Sequence, residues 1–218
     1  MRHLSFLCIL KNIEKGYGRK GVFSLGVYLD SKTGYTLYKN ELEKPYFVDK
    51  TRLLEELIPM ICEGSNYICI TRPRRFGKTV IANMIAAFFS RSCEAKDIFE
   101  RLYISSVKNY KQYINKYAVI HISFNDIATE CLSYDSYIKR IEKKLIRDLK
   151  REYPEVELEE DEYLVDVFCD IYAEDESAQF IFVLDEWDYI FSKELFQENQ
   201  DDFLEFLTFL LKDKPYVL

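Results

Sequence analysis

Five apolar residues in succession, Phe180-Ile181-Phe182-Val183-Leu184, run directly into two acids, Asp185 and Glu186. A strand with one wet face would alternate apolar and polar side chains. An unbroken apolar run of this length reads as a strand covered on both faces, the condition of a parallel sheet between layers of helix. Asn66–Thr71 and Ala118–Phe124 carry similar short apolar runs and read as further strands.

Between these runs the apolar residues recur at helical spacing. Residues 49–63 place Leu53, Leu54, Leu57, Ile58 and Ile61 on one face, with Asp49 or Thr51 as cap. Residues 79–90 place Val80, Ile81, Met84, Ile85, Phe88 and Phe89 together, and residues 134–151 do so with Ile138, Ile141, Leu145 and Leu149. Residues 162–173 and 199–212 read as two more helices, after an acidic connection at Glu152–Glu162. Strands alternating with helices predict an α/β fold, a parallel sheet flanked by helices. Residues 1–45 are less regular. There GVYLD and GYTLY flank the turn-like Asp30–Gly34 and suggest a hairpin.

The segment Arg72-Pro73-Arg74-Arg75-Phe76-Gly77-Lys78-Thr79 lies between a predicted strand and a predicted helix. That placement suits a phosphate-binding loop, because the free N–H groups of a helix start point at bound anions. Gly77 would allow close backbone approach, Lys78 would reach the β- and γ-phosphates, and the Thr79 hydroxyl would hold Mg²⁺. The usual pattern carries a glycine where Arg72 stands, so the motif is half-formed, and a helix start with a glycine turn and a surface lysine is the plain alternative. Asp185 and Glu186 strengthen the nucleotide reading. A strand ending in an acid supplies the second Mg²⁺ contact, and the adjacent Glu186 would orient or deprotonate the attacking water. Arg72, Arg74 and Arg75 either add positive charge around the phosphates or pair with carboxylates across a fold interface.

Charge and cysteine content narrow the classes further. Residues 1–150 carry 26 Lys and Arg against 16 Asp and Glu, while residues 151–218 carry 4 against 21. The basic part would favour phosphates or nucleic acid, or is simply a solvated surface. The same choice applies to the basic face of residues 134–151. Six cysteines form no CxxC pair and only His3 and His121 are histidines, which argues against zinc. Cys69 and Cys169 fall in apolar patterns and read as core residues. The start MRHLSFLCIL breaks at Lys11 without a cleavage site, and no apolar run approaches the roughly 20 residues of a membrane span. A cytoplasmic protein with no membrane partner is expected. The oligomeric state is not readable.

The strings YFVDKT, ITRPRRFGKT, ANMIAAFFS, AVIHISFND and FVLDEWD together resemble the bacterial AAA-ATPase-like family, which is often fused to a C-terminal nuclease domain of the PD-(D/E)XK type. The resemblance covers Gly26–Leu218, leaving residues 1–25 as an N-terminal extension. It implies a P-loop NTPase fold, ATP and Mg²⁺ as cofactors, Arg72–Thr79 as phosphate loop (Walker A), and Asp185 and Glu186 as second motif (Walker B). Asp188 matches as well. Asp49-Lys50-Thr51 matches a motif that lies near the adenine in related ATPases. The resemblance further implies a polar sensor strand after KDKPYVL, so the domain is expected to be truncated before that central strand. The expected function is an ATPase module, the N-terminal part of an ATPase-nuclease type protein acting in nucleic-acid processing or defence. The alternative is a non-hydrolysing nucleotide-binding or interaction fragment.

Overall fold

The computed structural model describes residues 26–63, 67–71, 73, 76–127, 131–157 and 162–218. Its helices are α1 (Thr33–Leu42), α2 (Arg52–Glu63), α3 (Lys78–Phe89), α4 (Lys96–Phe99), α5 (Tyr134–Glu152), α6 (Leu164–Glu174) and α7 (Gln200–Leu211). Two strands, β1 (Ala118–Ser123) and β2 (Phe180–Asp185), pair in parallel, from Ala118 opposite Phe180 to Ser123 opposite Asp185.

The period-2 alternation of side chains divides the sheet into two apolar faces. Ala118, Ile120, Ile122, Phe180, Phe182 and Leu184 join the core formed with α5, α6 and α7. Val119, Ile181 and Val183 join the core formed with α1, α2, α3 and α4. Every residue of β2 is buried, which accounts for its unbroken apolar run. Helix α3 is buried from Ile81 to Phe89 because it lies between the sheet and α1. Helix α5 shows the opposite character: Ile138, Ile141, Leu145 and Leu149 are buried and the basic side faces out, with a Ser133–Ser136 capping box at its start.

The hairpin does not form. Residues of GVYLD instead run beside β1: Leu29 bridges Ile120 in antiparallel sense, Asp30 N donates to Val119 O at 2.8 Å, and His121 N donates to Tyr28 O at 3.0 Å. GYTLY is helical, as part of α1. Its β-like composition is overridden by packing. A methyl group on Gly34 would stand 3.0 Å from Ala86 Cβ, so α1 approaches α3 closely enough that a larger residue would force the helices to shift by a few tenths of an ångström. Tyr38 stacks on Phe99 with ring centroids 5.5 Å apart.

Two further expectations are corrected. Tyr67–Thr71 is not a strand, and Asn66 lies outside the described residues. The edge of β2 away from β1 is engaged by the end of the chain: Phe180 N donates to Tyr216 O at 2.8 Å and Leu218 N to Phe180 O at 3.0 Å. Without a ladder partner, the residues before the loop stay irregular. Cys69 is exposed as a consequence, whereas Cys169 is half-buried against the α5–α7 core. Residues 1–25 lie outside the described residues, so the extension is not placed.

No helix among the described residues is long and apolar enough to cross a membrane.

A candidate phosphate and metal site at the start of helix α3

Gly77 adopts φ 77° and ψ 37°, the left-handed conformation that glycine enters without penalty. This turn brings the chain into α3, whose first intrahelical bond runs from Ile81 N to Gly77 O at 3.0 Å. The amides of Lys78, Thr79 and Val80 therefore precede the hydrogen-bonded ladder and are open to an external acceptor. The positive end of the helix dipole points the same way. Pro73 and Phe76 are exposed on the approach to the turn. Arg72, Arg74 and Arg75 lie outside the described residues.

A cleft of about 530 Å³ opens at this helix start. Gly77, Lys78, Thr79 and Val80 form one wall, and Glu186, Asp188, Tyr189 and Ser192 form another. The second wall follows β2 through a 3₁₀ segment, Trp187–Ser192. Glu41 and Lys44, from the end of α1 and just beyond it, contribute a third edge and are paired with each other. These two, with Tyr189 and Ser192, were not anticipated; reading GYTLY as a strand hid the helix that carries Glu41.

Asp185 ends β2 directly beneath α3. Its carboxylate is buried, 3% exposed. Oδ1 accepts the Glu186 amide at 3.0 Å, whereas Oδ2 has no hydrogen-bond partner. Burial pushes the carboxyl above its ordinary value, and the Glu186 charge pushes the same way. The Thr79 hydroxyl and Lys78 ammonium oppose that rise, which shows that the two ends of the site meet. An enclosed carboxylate oxygen without a donor is costly, and a cation is the natural complement. Glu186 itself sits at φ 54° and ψ 27°. A non-glycine residue held there carries on the order of 1 kcal/mol or more of backbone strain, a feature concentrated at functional sites.

No group of three or more His, Cys, Asp or Glu side chains arranged to hold a metal occurs among the described residues. Thr79 and Asp185 offer one hydroxyl and one carboxylate instead. Mg²⁺ is held in this sparse way, by one or two protein oxygens completed with water and phosphate.

Residues 37–216 match the AAA-ATPase-like family, described as predicted AAA-ATPase. The chain belongs to this family. Membership assigns it an ATPase-like, nucleotide-binding character in general terms, and the α/β architecture with a parallel sheet between helices is compatible with such a domain. No curated protein and no solved structure matches the chain.

Proposed function

We propose that this member of the AAA-ATPase-like family binds ATP with Mg²⁺ in the cleft at the start of α3 and hydrolyses it. The observation that carries the reading is the meeting of Thr79 with an enclosed Asp185 whose Oδ2 lacks a donor, beside a left-handed glycine and a lysine. Family membership supports the nucleotide, and a volume of about 530 Å³ lies within the roughly 300–1,000 Å³ usual for small-molecule sites.

In this reading the amides of Lys78, Thr79 and Val80 donate to phosphate oxygens, with Arg72–Thr79 as the complete loop. The Lys78 ammonium neutralises the β- and γ-phosphates. Thr79 and Asp185 are the protein ligands of Mg²⁺, which when bound supplies charge neutralisation at the phosphates. Glu186 orients the attacking water and takes its proton, and its strained backbone fixes the carboxylate toward the cleft. Asp188 lines the same wall. ATP binding then drives a conformational change within a larger nucleic-acid-processing or defence protein, an ATPase-nuclease type assembly in the cytoplasm.

Steady-state phosphate release by wild type and Glu186→Gln tests hydrolysis. Turnover in wild type, with a loss of about 100-fold or more in the variant at unchanged ATP affinity, is expected from removal of a general base. Tight Mg-dependent ATP binding without turnover in either protein would instead make the chain a non-hydrolysing nucleotide-binding module.

A further inference from the structure

Lys50 reaches the loop from a distant part of the sequence. A methyl group on Gly77 would stand 3.4 Å from Lys50 Nζ and 3.6 Å from its Cε, so the ammonium lies against the turn that starts α3. Its backbone is held on both sides. Asp49 Oδ1 accepts the Thr51 amide at 2.8 Å and the Thr51 hydroxyl at 2.7 Å, and Asp49 Oδ2 accepts the Tyr103 amide at 2.7 Å. Thr51 is fully buried and its Oγ1 accepts the Ile104 amide at 3.1 Å. Lys50 O accepts Leu53 N at 3.0 Å, opening α2. The residues flanking Lys50 thus serve to anchor its stem, and the four-carbon side chain delivers the charge.

Among the described residues that charge has no counter-ion: no carboxylate pairs with Lys50. It adjoins Gly77, the residue before Lys78, at the positive end of the α3 dipole, so like charges gather where the helix amides are free. Asp185, at the end of β2 before the Glu186 wall of the cleft, has an enclosed Oδ2 without a donor, an independent sign of a site built for a ligand. Lys50 does not line the cleft; it flanks it at Gly77, which does. A small swing of a flexible ammonium brings it to an anionic oxygen held on the helix amides.

We propose that Lys50 is a second phosphate-binding cation, acting with Lys78 on the polyphosphate of a nucleoside triphosphate and setting the preference of the site for triphosphate over monophosphate. This rests on the nucleotide-binding reading of the cleft. It also assigns the Asp49-Lys50-Thr51 segment to the phosphates rather than the adenine.

Affinities for Mg·ATP and for AMP, measured by displacement of a fluorescent ATP analogue, test it in wild type, Lys50→Ala, Lys50→Arg and Lys78→Ala. One charge-assisted contact predicts roughly 10-fold weaker ATP binding or more in Lys50→Ala, with AMP changed far less. Lys50→Arg should recover most of the loss, and melting temperatures without nucleotide should stay at the wild-type value. ATP affinity unchanged in Lys50→Ala while Lys78→Ala fails to bind would overturn the role of Lys50 and leave the cleft reading standing. An equal loss for ATP and AMP would also overturn it, moving Lys50 to the nucleoside end. No ATP binding by folded wild type would remove both.

Discussion

Thr79 and Asp185 meet where α3 begins and β2 ends, and the hydroxyl of the first lowers the pKa of a carboxyl that burial has raised. The carboxylate loses hydration without gaining a full set of donors, a cost that a bound cation offsets.

Replacement of Asp185 should therefore separate stability from binding. Its folded-state pKa lies above its unfolded one, so the folded chain binds more protons and stability falls as pH rises through that interval. The destabilisation grows as pH rises above the ordinary carboxyl range and disappears in acid. Asp185→Asn is expected to melt higher than wild type at pH 7, with the difference closing toward pH 4, while Mg-dependent ATP binding is lost. Thermal melts across pH 4–7 with and without Mg·ATP measure both. A variant that melts lower at pH 7 would contradict the burial argument.

His121 predicts the opposite slope. Its Nε2 is enclosed with no partner, and burial lowers the imidazole pKa from 6.5 to about 4. A depressed folded-state pKa means that the unfolded chain takes up the proton first, so stability falls as pH drops from 6.5 toward 4. At about 1.4 kcal/mol per pKa unit, this single group removes about 3 kcal/mol by pH 4. His121→Leu should flatten that part of the stability–pH curve measured by urea denaturation.

A buried ion pair holds the segment before α1 to the rest of the domain. Asp30, 0% exposed, accepts Arg91 Nε at 2.8 Å, Ser90 Oγ at 3.0 Å and the Val119 amide at 3.0 Å, and Arg91 also meets Glu152 at 2.7 Å. Burial outweighs the cation at Asp30, whose pKa is raised, while Arg91 is held above its ordinary value. The two directions agree on one point: Arg91 stays charged and Asp30 bears the desolvation. Arg91→Met should cost about 3–5 kcal/mol by stranding that carboxylate. Urea denaturation at pH 7 measures it.

Gly77→Ala tests the turn. An alanine at φ 77° carries about 1–2 kcal/mol of strain, and its methyl comes into van der Waals contact with the Lys50 side chain. ATP affinity should fall more than stability does, as read by titration and melting of the same variant.

Much of this fold is legible in the residues because burial leaves a simple pattern. The unbroken run of β2 and the helical spacing of α2, α3, α5, α6 and α7 appear where they are expected, within one to three residues at each end. The exceptions share a cause, contacts from outside the local segment. GYTLY is helical because Gly34 meets Ala86 and Tyr38 meets Phe99. Tyr67–Thr71 lacks a ladder because a strand needs a neighbour, which no local pattern supplies. In the site, Gly77, Lys78, Thr79, Asp185 and Glu186 carry their chemistry in their order. Glu41 and Lys44 arrive only through packing of α1 against α3, whereas Lys50, marked in the sequence by the resemblance, is placed at Gly77 only by the fold.

The central claim is that Lys78, Thr79 and Asp185 hold a nucleoside triphosphate with its metal. Titration of ATP into wild type and Lys78→Ala by isothermal calorimetry, each with Mg²⁺ and with EDTA, tests it most directly. One ATP per chain is expected for wild type with Mg²⁺, binding at least about 10-fold weaker in EDTA, and no measurable binding in Lys78→Ala. Equal heats for wild type and Lys78→Ala, or binding indifferent to Mg²⁺, would contradict it.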